Sequence, residues 1–525
     1  MSMDHNEDKK VLHSMGYAQE LARRMNAFSN FAISFSIICT LSGGINSFAQ
    51  ATGSVGGAGA GIGWIVGCCV SGVFAVAMAQ IASAYPTAGG LYHWGSILGN
   101  RFIGWVTAWL NLLGLITVMG AINIGTAFFF QGTFGSLIGM TTDPIHIVLF
   151  VAVITIIQAI INHLGIRLTA LLTDWSGYLI LATTVVLVAA LLIFAPTHEW
   201  SRLWTFTNNS GDAGGNVFPH SDNMLYLFSL CLLLPIYTIT GYDASAHTSE
   251  ETQKAALSVP KGIVNAVVVS SLAGWVMVMA IMIAIPDLAE GAKSGWSVFF
   301  NTMTAVLPAW LVTLLYVAIF IAQFLCGLAT VTSTSRMLFA FNRDGGLPLV
   351  HKWVAGVSVR FRTPVAAIWT GAILEILFVW LAETVSIGGT NIYTITVNAT
   401  LIFLFLSFTV PIVTGAFAIG GPKWPRMGPW NIGIGMYRLF AVLSLLAMLL
   451  IIFIAIQPPN GQVLWITIGF LVLAAILWFG FENRRFQGPP VGEMIKKRQA
   501  EIAAIEAKYG ESSDSAGARG AAPAE

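Results

Sequence analysis

Residues 225–247 read LYLFSLCLLLPIYTITGYDASAH, an apolar run that carries Pro235 and then the polar cluster Tyr237-Thr238-Ile239-Thr240-Gly241-Tyr242-Asp243 near its middle. A helix crosses hydrocarbon with roughly 20 residues, and this run has that length. Proline and glycine leave backbone groups that hydrocarbon cannot satisfy. Such a break persists only where protein, a ligand or a watery cavity supplies partners. Residues 29–50 share the fault: Leu41-Ser42-Gly43-Gly44-Ile45-Asn46 places adjacent glycines between polar residues halfway along.

The rest of the chain shares this solvent. Of 525 residues, 56% are hydrophobic and only 9% charged, far from the roughly 25% charged residues of a soluble domain. Apolar runs recur near 29–50, 61–83, 103–130, 145–162, 175–195, 225–247, 263–286, 307–335, 363–383, 390–416, 439–457 and 462–481. In lipid these can satisfy their own backbone only as helices, so the expectation is an all-α membrane protein of about twelve transmembrane helices. Assigning connectors alternately to the two faces puts 23 of the 25 Lys and Arg on one face, leaving only Arg202 and Lys293 on the other. By the positive-inside rule the richer face is cytoplasmic, with both termini on it, in a cell (plasma or inner) membrane.

The basic residues form no folded basic domain, so nucleic acid is not an expected partner. All five cysteines (Cys39, Cys68, Cys69, Cys231, Cys326) fall within expected spans, which reads as packing and not as a disulfide framework. The first apolar run follows a polar segment and is long enough to be a retained helix rather than a signal peptide. The segments are then 1–28, cytoplasmic; 29–416, a ten-helix core; 417–482, two peripheral helices; and 483–525, a largely disordered cytoplasmic tail. Within that tail, Ile495 to Tyr509 is charged and Ala-rich, and suits a short surface helix near anionic headgroups or a solvated charged face.

The two broken runs are the first and the sixth, corresponding positions if the first ten helices form two five-helix halves. An inverted repeat would bring both breaks together at the midplane, the pattern that points to a secondary transporter's substrate site. The competing reading, glycines that merely let helices pack closely, suits one glycine-rich helix better than two matched breaks.

Four motifs carry a resemblance. GYDASAHTSEETQKAALSVPKGI (Gly241 to Ile263) is the most specific, joined by NFAISFSIICTLSGGI in the first run, AYPTAGGLYHW after the second and SRMLFAFNRDGGLP after the eighth. Together they resemble the amino acid-polyamine-organocation superfamily, and within it the amino acid/choline permeases, over about Phe31 to Arg485. The resemblance implies a LeuT-type fold, a 5+5 inverted repeat of ten core helices followed by two peripheral ones. It also implies a small-molecule substrate, an amino acid or a close derivative such as γ-aminobutyrate, and no enzymatic activity.

Local physics fits that pose. Free backbone N–H groups at Ser42, Gly43, Gly44 and Ile45 would make a nest for a substrate carboxylate. Carbonyls near Tyr237, Thr238 and Thr240, at the turn through Gly241, would accept hydrogen bonds from its amino group. Tyr242 resembles the aromatic residue that closes over the site as a gate in relatives, against the reading of a packed aromatic.

Asp243 is the acid nearest the sixth-run break, and an intramembrane ionisable residue is a functional hypothesis by default. A structural hydrogen-bonding role suits it better than an amine or proton site. His247 reads as a packed histidine, or as a proton relay with Asp243 at i, i+4. Glu250, Glu251, Lys254 and Lys261 read as topology-setting charges, with Arg336, Arg343 and Asp344 as their candidate gating partners. Tyr85-Pro86-Thr87-Ala88-Gly89-Gly90 reads as a structural tight turn.

No organic cofactor or metal is called for beyond a coupling ion. A sodium site would need hydroxyls such as Thr330, Thr332 and Ser333 facing carbonyls near Ile38 and Leu41, yet hydroxyls in membrane helices usually bond backbone. Some proton-coupled relatives place a lysine on the fifth helix, and this chain has none between Trp175 and Pro196. Exchange, or protonation at Asp243 or Glu375, is left.

Other classes fit less well. His247-Thr248-Ser249-Glu250 lacks the second ligand of an H-E-x-x-H zinc motif. Residues Gly56 to Gly63 open a membrane helix with no strand before them, so they are a packing and connector segment and not a dinucleotide loop. A channel or sensor would need a continuous polar lining or a signalling domain. A choline or polyamine permease of the same fold is the nearest alternative, because aromatic faces also bind such cations.

Overall fold

Helix starts here are set by short polar side chains that accept the first unpaired amides. Asn26 accepts from Ser29, Asn100 from Ile103, Asp143 from Ile145 and Asn223 from Tyr226, with Pro144 in the first turn behind Asp143. The computed structural model describes residues 2–384, 392–490 and 493–509.

In chain order the main helices are α1 (Ser2–Ser14), α2 (Ala27–Ile38), α3 (Thr40–Asn46), α4 (Trp64–Ala84), α5 (Arg101–Ile138), α6 (Pro144–His163), α7 (Ile166–Phe194) and α8 (Met224–Thr238). They continue as α9 (Ala244–His247), α10 (Ala255–Ala284), α11 (Ala309–Arg343), α12 (Val365–Thr384), α13 (Ile392–Ala418), α14 (Ile434–Ala455), α15 (Gln462–Leu477) and α16 (Glu493–Tyr509). The described residues are all-α, with two isolated bridges and no strand. Eleven helical segments among them are long and apolar enough to cross a membrane, and α8 is a shorter apolar helix beside them.

Side-chain placement inverts the pattern of a water-soluble bundle. On α6 the polar Thr155, Gln158 and Asn162 are buried, while Leu149, Val153, Ile157 and Ile160 face outward. Hydrocarbon outside explains the inversion, since apolar side chains lose nothing there and polar ones need protein partners. Segments α2–α3 and α5 are almost wholly enclosed, whereas α15 is mostly peripheral.

Glycine allows the closest contacts. A Cβ on Gly57 would lie 2.2 Å from the Arg202 carbonyl oxygen, and one on Gly61 2.1 Å from that of Leu203. The glycine run therefore packs against the short helix Trp200–Trp204, in line with its reading as a packing and connector segment.

The chain's two terminal segments meet. His13 and Lys9 pair with Glu506 of α16 at 2.7 and 3.6 Å, and Gln499 donates to the His13 carbonyl. The tail through Tyr509 is thus a docked helix, and its partner is the N-terminal segment rather than only headgroups or solvent. The expectation of disorder beyond it, from Glu511 to Glu525, lies outside the described residues.

Candidate functional site

Both expected breaks are present, and they face each other. The first falls at Cys39, whose φ of 28° and ψ of 79° separate α2 from α3. The second runs from Ile239 to Asp243, with Gly241 at φ 83° between α8 and α9. Segment α3 packs on α8 and α2 on α9, so the half-helices of the two broken segments pair crosswise.

The break at Cys39 corrects one detail. The amides of Ser42 and Gly43 are not free: both donate to the Cys39 carbonyl, at 2.8 and 3.0 Å, and Gly44 and Ile45 continue α3. The amides that meet no backbone carbonyl among the described residues are those of Thr40 and Leu41. Gly43 and Gly44 serve close approach instead. A Cβ on Gly43 would lie 2.9 Å from Thr238 Cα, and one on Gly44 2.8 Å from Met277 Cε.

A small cavity lies at this crossing. Ile37, Ile38, Ser42 and Gly43 line it from the first segment, Tyr237, Thr238 and Thr240 from the second, and Val118, Ile122 and Cys326 from α5 and α11. It has room for about one water molecule, so the two broken segments are closely packed at their crossing. Gly44, Ile45, Gly241 and Tyr242 stand outside this lining. Gly241 is nonetheless required, because a Cβ there would approach Ile37 Cγ2 to 2.2 Å in addition to the left-handed backbone.

The carbonyls of the second break are partly engaged. Thr240 Oγ1 donates to the Tyr237 carbonyl at 2.8 Å, and Thr238 Oγ1 to that of Leu234 at 2.7 Å. Tyr242 is buried against Phe408, and its hydroxyl donates to the Ser71 carbonyl at 3.3 Å. In this conformation it is a packed aromatic.

Beyond the break, α9 is held by side chains that sequence reasoning passed over. Ser34 donates to the Tyr242 carbonyl at 2.9 Å and lies 2.7 Å from the Ser245 hydroxyl. Asn30 donates to the Ser245 carbonyl, Thr248 and Thr252. Polar residues at i and i+4 on one face of an apolar helix were the available signal.

Asp243 Oδ2 accepts from Asn111 at 3.2 Å and lies 3.3 Å from His247 Nε2, and His247 Nδ1 faces the Ala88 carbonyl at 3.2 Å. A carbonyl can only accept, so His247 Nδ1 is the donor in the contact with Ala88. The arrangement ties α9 to the Tyr85–Gly90 turn and to α5.

At the end of α9 lies a buried ionic lock. Arg336 donates to Glu251 through Nε and Nη2, both at 2.8 Å, and Arg343 donates to Glu250 through Nη1 and Nη2 at 3.0 and 2.8 Å. Both carboxylates and the Arg336 side chain are fully buried. These paired groups are buried and not exposed, and their bidentate geometry ties α11 to the segment that follows α9. Lys254 takes a left-handed φ of 51°, and its amide donates to Asp8 at 2.8 Å.

Tyr17 closes the layer beneath. Its ring lies 4.0 Å below the Arg343 guanidinium, and its hydroxyl donates to Asp344 at 2.6 Å. Burial and the adjacent Asp344 push the Tyr17 phenol well up. Burial alone would raise Asp344, but hydrogen bonding to His93 and the charges of Arg498 and Arg343 outweigh it and hold this carboxyl down at about 2.

The hydroxyls weighed for sodium point elsewhere. Thr330 donates to the Cys326 carbonyl, Thr332 to Asn162 and the Leu328 carbonyl, and Ser333 to the Ala329 carbonyl. From α11 the Cys326 thiol donates to the Ile37 carbonyl of α2 at 3.2 Å.

Comparison with known proteins identifies the family. A family profile described as "Amino acid permease" matches residues 25–481, which takes in both breaks and the ionic lock. The chain belongs to the amino acid permease family. This permease is 32% identical over 446 residues to the amino-acid permease BAT1 of Arabidopsis thaliana, covering 80% of this chain and 83% of that protein. A BAT1 homolog of Oryza sativa is 30% identical over 446 residues, covering 80% and 82%. The GABA-specific permease of Saccharomyces cerevisiae is 28% identical over 391 residues, covering 69% of the permease described here and 64% of its own length.

Proposed function

We propose that the chain carries an amino acid, or a close derivative such as γ-aminobutyrate, across a cell membrane by alternating access, with the substrate bound between the two broken helices. The observation that carries this reading is the cavity at the crossing, lined by Ser42 and Gly43 on one side and by Tyr237, Thr238 and Thr240 on the other. Facing breaks are the arrangement in which transporters hold substrate carboxylates and amines with freed backbone groups. Kinship with amino-acid and GABA permeases supports the choice of substrate class.

In this reading α8 and α9 together make one interrupted crossing, for twelve in all. The first ten form a LeuT-type 5+5 inverted repeat, and α14 and α15 are peripheral. Both termini lie on the cytoplasmic face, supported by their contact with each other and by the bias of Lys and Arg. The buried pairs Arg336–Glu251 and Arg343–Glu250 then close the inner path, and opening toward the cytoplasm separates them. Saturable, competable uptake of labelled amino acids into proteoliposomes tests the reading, and choline and polyamines as competitors test its nearest alternative.

A further inference from the structure

Behind the cavity wall lies a buried polar group that the substrate site does not use. Glu375 sits midway along α12 on the inward face marked by Ile368, Ala372 and Val379, and it is fully buried. Asn123 Nδ2 of α5 donates to its Oε1 at 2.7 Å, while Oε2 is buried without a partner. The same Asn123 amide lies 3.2 Å from Thr155 Oγ1 and 3.0 Å from Gln158 Oε1 of α6. Gln158 in turn donates to the Phe324 carbonyl of α11 at 3.0 Å. Three neighbouring helices, α5, α6 and α11, thus join one uncharged polar network that reaches the carboxyl through Asn123.

Titratable groups on the packed elements are engaged elsewhere. His163 on α6 accepts from Trp369, Cys326 on α11 donates to Ile37, and Arg336 and Arg343 are taken by Glu251 and Glu250. Glu383 lies two turns further along α12, and Arg101 at the start of α5 donates to Asn483. An ionised Glu375 would be a charge inside the membrane with no cation paired to it among the described residues, which is costly unless a proton neutralises it.

The network is also one residue away from the substrate path. Ile122 and Cys326 line the cavity, and the residues after them, Asn123 and Gly327, face the network. Gly327 is what allows the approach, since a Cβ there would lie 2.3 Å from Gln158 Nε2 and 2.6 Å from Asn123 Oδ1.

We propose that Glu375 is a proton-binding site through which a proton gradient is coupled to transport, an inference that rests on the transport reading above. A proton taken from water on one side of the membrane forms an O–H bond on Oε2. That bond breaks, and the proton leaves to water on the other side, when the cavity wall between Ile122 and Cys326 shifts. The neutral acid is the form that the closed conformation holds.

The test uses the full chain in proteoliposomes and the isosteric variant Glu375→Gln. The variant is expected to keep counterflow exchange of labelled amino acid within about threefold of the parent and to lose accumulation driven by an imposed pH gradient by at least about tenfold. Undiminished gradient-driven accumulation in Glu375→Gln overturns the proposal, as does uncoupling by Asp243→Asn or His247→Gln in its place. Infrared difference spectra of the parent separate this from the transport reading. A protonated carboxyl band at neutral pH that Glu375→Gln removes supports the proton site even if no amino acid is carried, and its absence overturns it. If Glu375→Gln fails to insert, Glu375→Asp is expected to shift that band and to retain coupling, and an unshifted band overturns the assignment.

Discussion

Arg336 and Glu251 meet in a bidentate pair, Nε to Oε2 and Nη2 to Oε1 both at 2.8 Å, with neither side chain exposed. The pair joins a long unbroken helix to the end of an interrupted one. In the transport reading proposed above, this pair is one of the contacts that close the inner path.

Removing one partner leaves the other charge buried and unpaired, a loss of about 3–5 kcal/mol. Arg336→Ala and Glu251→Ala are therefore each expected to lower thermal stability in detergent and to increase labelling of a cysteine placed between this pair and the cavity. Unchanged labelling in both variants would exclude the pair as a closing contact.

At Gly241 the backbone is left-handed and Ile37 fills the space where a side chain would start. Gly241→Ala is expected to cost roughly 1–3 kcal/mol in overpacking, besides the strain of its φ, and to reduce transport. A purified Gly241→Ala protein with the parent's Tm and uptake would show that the two breaks do not pack as described.

The breaks themselves were legible in the sequence, but not the residue at which the first one turns. Gly43-Gly44 signals a weak helix, yet the chain turns at Cys39 and uses the glycines for contact with Thr238 and Met277. Backbone propensity marks where a helix can fail, and the tertiary neighbours choose the residue. The ion pairs were harder to see, because Glu250, Glu251, Arg336 and Arg343 have the composition of any polar connector and only the fold pairs them in a largely enclosed site. Likewise the i, i+4 spacing of Asn30 and Ser34 puts them on one helix face, but only the fold lays α9 against that face.

Asp344 supplies a pH dependence of definite sign. Its carboxyl is held at about 2 in the folded chain, below its ordinary 3.8, so the unfolded chain binds more protons as the medium acidifies. Its stabilisation, about 2 kcal/mol, is fully present above pH ~4 and is lost as pH falls toward ~2. Thermal stability measured from pH 6 down to pH ~3 should fall more steeply in the parent than in Asp344→Asn. Parallel profiles would contradict the role given to His93, Arg343 and Arg498.

Arg498 of α16 reaches Asp344 at 3.1 Å, which places the C-terminal helix against the same layer. Arg498→Ala is expected to make the segment after Arg485 more open to limited proteolysis while costing at most about 1 kcal/mol, because its side chain is partly exposed. Protection equal to the parent's would show that this contact does not hold the helix.

The central claim is that substrate binds where the broken helices cross, and uptake of labelled amino acids into proteoliposomes holding equal amounts of the parent or Gly43→Leu tests it most directly. A side chain at position 43 would drive into Thr238, 2.9 Å from where its Cβ would stand. Saturable uptake by the parent, falling to the level of empty liposomes in a variant that still inserts, is the expected result. Full uptake by Gly43→Leu, or a parent no better than empty liposomes, would contradict the account.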